Sequence, residues 1–302
     1  MKGKETFGRP HTERWAYRWL YTDKIFTLTS AIYPLAGRKF ATATCRAVAL
    51  FYAATQPGVR KTVQENLRLL GGGTPADARR VFRNFATVIS DYVGVGVMSP
   101  EEVRGICGGF HGRENLGSGR GVILATAHYG FFEYGGPVLS GIGMPLTIGT
   151  LPEPTSALTK WRAVWRQRWG VETVEVGADP FSSLTLQAAL GAGRSVAVLV
   201  DRPQDGQSVP VDGPGGAISF SISAAVLSYL SGAPVVPVLV SLQPDGLHKV
   251  EAFPPEQARR VAHGERRKEI ERCTREVASR LVSGMAKDPT QWFQFIPCQN
   301  SR

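Results

Sequence analysis

Val122-Ile123-Leu124-Ala125-Thr126-Ala127-His128-Tyr129-Gly130-Phe131-Phe132-Glu133 is an apolar run that stops at a histidine. Six apolar or β-branched residues are too few for an independent helix and suit a buried strand. The same texture recurs downstream at 146–150, 171–176, 195–200 and 235–242. Helical spacing fills the intervals at 155–169, 180–191 and 219–231, and a charged helix closes the chain over 256–284. Strands that alternate with helices predict an α/β fold, in which a largely parallel central sheet is flanked by helices.

Upstream the texture changes. Residues 1–95 read as helical, most clearly over 76–93, where Val81, Phe82, Phe85, Ala86, Ile89 and Val93 recur at helical spacing. The glycine-rich stretch 108–120 marks the change. It separates a helical, basic N-terminal part (residues 1–107) from an α/β core (residues 108–302), the two expected to form one continuous domain.

The first 60 residues hold ten Lys and Arg against three Asp and Glu, in a chain of net charge +10, together with Trp15, Tyr17, Trp19, Tyr21, Phe26 and Tyr33. Rings that are half apolar and half wet, mixed with cations, fit a lipid headgroup layer. A single-stranded nucleic-acid surface has a similar composition. The chain shows no zinc-finger spacing and no RNA-binding strand motif, so the expected partner is an anionic membrane surface and not nucleic acid. Trp15, Trp19 and Phe26 near one face of 11–30 predict a helix lying in that interface. No apolar stretch of this part approaches the roughly 20 residues of a spanning helix, and its polar start does not resemble a signal peptide. Cys45, Cys107, Cys273 and Cys298 are scattered without a CxxC pair, which predicts reduced thiols and no metal site.

Ligands of open α/β sheets gather at the carboxyl ends of the strands, which is where His128 stands. A neutral imidazole can take a proton from a hydroxyl near pH 7, and a carboxylate behind it fixes the tautomer. Glu133 is the carboxylate nearest in sequence. On a continuous helix two residues five apart point roughly 140° away from each other. The expected arrangement therefore has His128 on the turn and Glu133 in the first helical turns, reaching back to the ring. Such a spacing is common; the strand-end position singles this one out. No nucleophile accompanies the pair, for there is no GxSxG elbow and Cys107 has no evident base. A base without a protein nucleophile implies direct attack by an acceptor hydroxyl on an activated acyl group.

Two further stretches bear on binding. Trp161, Trp165 and Trp169 repeat every four residues, with Arg162 and Arg166 as a second row. That pattern fits an apolar wall beside phosphate-binding arginines, or a core stripe with a solvated face. Asp201 and Arg202 directly follow the 195–200 run, at the same sheet edge as His128. Arg162, Arg166, Asp201 and Arg202 are thus the substrate-binding candidates. The glycine-rich loop after them fits neither a P-loop nor a dinucleotide fingerprint.

His128 to Glu133 matches the H-x4-E motif of the bacterial lipid A biosynthesis (late) acyltransferases, a family that includes the phosphatidylinositol mannoside acyltransferases and that the chain resembles over residues 10–297. Val63-Gln64-Glu65-Asn66-Leu67 resembles that family's upstream N-L segment. Asp201-Arg202 through Val209-Pro210, and Gly232 to Val238, resemble its acid–loop–helix–strand block, and Pro289-Thr290-Gln291-Trp292 its closing P-x-Q-W. The resemblance implies the glycerolipid acyltransferase-like fold and transfer from an acyl carrier protein or coenzyme A thioester to a hydroxyl of a membrane lipid, with no metal or cofactor. It implies His128 as base, Glu133 as its partner, and arginines on an oxyanion or phosphate. It also implies a peripheral or monotopic place on the cytoplasmic face of the bacterial inner membrane. Two departures stand out: Gly130-Phe131-Phe132 replaces the common Gly-Asn-Trp, and Phe295-Ile296-Pro297-Cys298 replaces the His-Arg-Arg of the lipid A branch, which points away from lipid A as acceptor. Acyl transfer to an amine or small molecule would share all of these residues, whereas lipid binding without catalysis would leave His128 dispensable.

Overall fold

A computed structural model of the protein describes residues 23–117, 121–151, 155–176, 181–203 and 207–298. Three helices come first: α1 (Asp23–Thr55), α2 (Pro57–Arg68) and α3 (Pro75–Val95). The Thr74 hydroxyl accepts from the Asp77 N–H and the Asp77 carboxylate accepts in return from the Thr74 N–H, with Pro75 in the first turn, so α3 begins where its sequence says it must. Short α4 (Pro100–Gly105) leads into β1 (Cys107–His111). Strands and helices then alternate: β2 (Ile123–Thr126), α5 (Gly135–Gly141), β3 (Leu146–Thr150), α6 (Ser156–Arg168), β4 (Val171–Glu175), α7 (Ser182–Gly191) and β5 (Ser195–Leu199). After a hairpin of β6 (Ser208–Gly213) and β7 (Gly216–Ser221) come α8 (Ser223–Ser231), β8 (Val235–Leu242), β9 (His248–Ala252) and α9 (Arg266–Met285).

The seven-stranded sheet runs β1-β9-β8-β2-β5-β3-β4. The five strands from β8 to β4 are mutually parallel, while β9 lies antiparallel to β8 and parallel to β1, so the last two run the other way. Central β2 is covered on both faces, which is why it reads as an unbroken apolar run rather than an alternation. One hydrophobic cluster passes from α1 and α3 through Phe131 and Tyr134 to β2 and β8, so the helical part and the sheet share a core. The other joins α8 and α9 to the opposite face.

All five expected strands are present, two of them with the expected bounds. The expected helix over 219–231 begins only at Ser223. Residues 216–221 instead pair with 208–213, because Ile218 and Phe220 alternate with Ser219 and Ser221 and Val209 and Val211 are buried opposite. Strands β1 and β9 were not anticipated; glycine and charge dilute their apolar content. Most of the interfacial helix expected over 11–30, with Trp15 and Trp19, lies outside the described residues.

Helix α1 buries Phe26, Tyr33 and Tyr52 in the core, but over 38–51 it is inverted with respect to water. Past a bend at Gly37 (φ 74°), Arg38, Thr42 and Arg46 point inward to Asp91, Ser90 and Thr87 of α3, at 2.7, 3.2 and 3.0 Å. Phe40, Ala43, Ala47, Val48 and Phe51 point outward, Phe40 at 61% and Phe51 at 70% exposure. Among the described residues no helix is long and apolar enough to cross a membrane.

Candidate active site

Register brings the site together. In the parallel pair β2–β5, Thr126 lies beside Leu199. Two residues further along each strand, His128 and Asp201 leave the same edge of the sheet and meet: His128 Nδ1 lies 2.8 Å from Asp201 Oδ1. A carboxylate only accepts, so the ring must carry its proton on Nδ1, and the lone pair is left on Nε2. Asp201 Oδ2 accepts from the His128 backbone N–H at 3.0 Å and from the Trp292 indole at 2.9 Å. Gly130 permits the turn that follows: its φ is 52°, and a side chain there would collide with the Val240 carbonyl. Phe132 sets its ring edge-on to His128 at 5.4 Å.

Burial alone would raise the pKa of Asp201. The attraction and hydrogen bond of His128, the charge of Arg202 and the Trp292 N–H outweigh it and hold the carboxyl far below its usual range. Burial and Arg202 push His128 below the ordinary histidine value, against the pull of Asp201. The ring is thus neutral at physiological pH while its side chain keeps 20% exposure.

Glu133 hydrogen-bonds to α6 and not to the histidine, although the two charges act on each other. It lies in a single 3-10 turn (Phe132–Tyr134), buried, with its carboxylate turned to α6. Arg166 grips it with both fork nitrogens, Nη2–Oε1 at 2.6 Å and Nε–Oε2 at 3.3 Å, and Arg162 Nη1 stands 3.7 Å from Oε1. Burial raises the Glu133 pKa, but Arg166 above all, then Arg162, bring it below the usual value. The expected His128–Glu133 pair is therefore replaced by two pairs, His128–Asp201 and Arg166–Glu133. Asp201, expected among the binding residues, is the hydrogen-bond partner of His128. Asp201 leaves the sheet level with His128, whereas the turn through Gly130 carries Glu133 past the ring.

Arg166 is 4% exposed and committed to Glu133, which removes it from the groups that face a substrate. Arg162 remains near His128 and also lies over the Tyr92 ring at 5.8 Å. Arg202 donates to the Phe293 carbonyl at 2.8 Å and to Gln294 Oε1 at 2.7 Å while staying close enough to His128 to depress its pKa. The tryptophans of α6 are core: Trp165 and Trp169 are buried, and Trp161 packs on Phe26 and Tyr92 at 4.8 and 5.4 Å. Burial pushes the Cys273 and Cys298 thiols up to about 12, so neither is a thiolate near neutral pH. The contact of Trp292 with Asp201 spans 91 residues and has no local signal in the sequence beyond the closing P-x-Q-W pattern. Gln204, Asp205 and Gly206 lie outside the described residues.

The profile of the bacterial lipid A biosynthesis acyltransferases matches residues 5–297. No curated protein sequence matches significantly. Among solved structures, the 1-acyl-sn-glycerophosphate (LPA) acyltransferase PlsC from Thermotoga maritima is similar at 14% identity, over 80% of this chain and 97% of that one, with a TM-score of 0.38. The family match takes in β2, the His128 turn, Asp201 and the closing Pro289–Trp292 segment alike, and the protein belongs to the bacterial lipid A biosynthesis acyltransferase family.

Proposed function

We propose that the protein moves a fatty acyl group from an acyl carrier protein or coenzyme A thioester to a hydroxyl of a membrane lipid, with His128 as general base. The observation that carries this reading is the His128–Asp201 pair at the carboxyl edge of the sheet, within a family of lipid acyltransferases. The acceptor O–H gives its proton to His128 Nε2 as its oxygen attacks the thioester carbonyl, and Asp201 steadies the imidazolium that forms. The tetrahedral oxyanion collapses, the C–S bond breaks, and the thiolate takes the proton back from His128. Arg162 and Arg202, both near the ring, are the groups for the oxyanion or a lipid phosphate, where a charged donor in a dry site contributes several kcal/mol. The raised thiols favour direct transfer without an acyl-enzyme.

The reaction takes place at the cytoplasmic surface of the inner membrane. Supporting this is the inverted α1, whose outward apolar face would otherwise be left in water. No acidic residue occurs between Asp23 and Glu65, while Lys39, Arg60 and Lys61 are basic, a charge that suits anionic headgroups. The test is transfer of a labelled acyl chain to lipid extracts by purified protein, read by mass spectrometry. His128→Ala lowers the rate by at least about 10²-fold, the scale of general-base catalysis; near-normal turnover by that variant refutes the mechanism.

A further inference from the structure

The segment after α9 crosses the site as a strap. Tyr129 and Trp292 form an antiparallel bridge, the Gly130 N–H donates to the Gln291 carbonyl at 2.9 Å, and the Phe293 N–H donates to the His128 carbonyl at 2.8 Å. Arg202 holds the same segment from the other strand, through the Phe293 carbonyl and the Gln294 side chain. The strap is fastened on both sides. Gln291 exchanges two hydrogen bonds with the Leu242 backbone, at 2.6 and 2.8 Å. Buried Asn66 on α2 donates to the Gln294 and Ile296 carbonyls at 2.9 and 2.8 Å and accepts from the Cys298 N–H at 3.1 Å. What the strap presents to the site is the indole of Trp292, itself 1% exposed, whose N–H acceptor is Asp201 Oδ2.

Two donors on Oδ2, the Trp292 indole and the His128 backbone, leave the carboxylate one orientation, with Oδ1 facing the ring. We propose that Trp292 is a positioning residue of the transfer reaction: its N–H fixes the plane of Asp201 and draws off part of its charge, which aligns His128 and keeps its proton easy to release. The inference rests on the reading of His128 as base. It assigns a purpose to both the closing tryptophan and Asn66, whose side chain is not near the reacting atoms.

The sign follows from electrostatics. A carboxylate with one donor fewer attracts the imidazolium more strongly, so loss of the indole N–H raises the His128 pKa. The other charged and titratable groups around the pair are unchanged by the substitution: Arg202 and Arg162 beside His128, Glu133 with Arg166 behind it, and Cys298, whose raised thiol is uncharged. Trp292→Phe keeps an aromatic ring and removes the donor. We expect kcat to fall about 10-fold or more with KM little changed, the scale of a lost hydrogen bond to a charged group. The acid limb of the kcat/KM profile moves up by about half a unit or more. A core truncation away from the site, Val277→Ala on α9, lowers Tm and leaves the limb in place. Should Trp292→Phe not fold, benzothienylalanine introduced at position 292 keeps the shape of tryptophan and lacks only the N–H. An unmoved limb, with or without a loss of rate, overturns the proposal and leaves Trp292 as packing. His128→Ala in the same assay separates the two readings: if it is active the base assignment fails, and if it is inactive while the Trp292 variants match wild type only this inference fails.

Discussion

Two of the residues singled out by type keep their interest, but their partners change. His128 donates its Nδ1 proton in a hydrogen bond to Asp201, so the nitrogen with the lone pair is Nε2. A general base works in its neutral form, and burial together with Arg202 lowers its pKa. Activity is therefore retained as pH falls through the ordinary histidine value of about 6.5 and is lost only below it. The measurement is kcat/KM against pH, and a limb above that value would contradict the arrangement. Glu133 belongs to a different account. Glu133→Gln leaves Arg166 buried without a counter-charge, which costs about 3–5 kcal/mol in such pairs. Urea denaturation should show that loss directly, and Arg166→Met in the same chain should recover part of it. A Glu133→Gln variant of wild-type stability with a lowered rate would instead restore the glutamate to the chemistry.

Among the elements, α1 departs furthest from the usual economy of a surface helix. Past its bend Arg38, Thr42 and Arg46 are turned to α3, while Phe40 and Phe51 face out. Each exposed phenylalanine that enters an apolar phase contributes about 1.5–3 kcal/mol. Phe40→Glu and Phe51→Glu therefore weaken binding to anionic vesicles by about 10-fold or more each, and leave Tm nearly unchanged because neither side chain is packed. Sedimentation with phosphatidylglycerol vesicles checks both, and added salt weakens the remaining attraction by screening the basic residues. Vesicle binding untouched by both substitutions would remove α1 from the interface.

Across the whole molecule, the order of strands and helices was legible because β2, β3, β5 and β8 are apolar runs of strand length with clear punctuation. The weaker β1 and β9 take their stability from neighbours rather than from their own residues, and the β6–β7 hairpin was hidden by an apolar stretch that helical spacing also fitted. The site was legible in its residue types and not in its pairs. His128 and Asp201 were both recognisable at strand ends, yet only the β2–β5 register makes them neighbours, and Glu133 was the nearer acid only along the chain. The strap carries this further, into the order of events. Its contact to Asn66 spans 228 residues, more than the 141 that separate Cys107 from His248 in the β1–β9 pair, and contacts of such separation are slow to form. During refolding from denaturant the sheet should regain its circular dichroism first, and acyl transfer should return in a later phase that Asn66→Ala delays further. A chain caught between the two phases would have the circular dichroism of the native protein and still be inert.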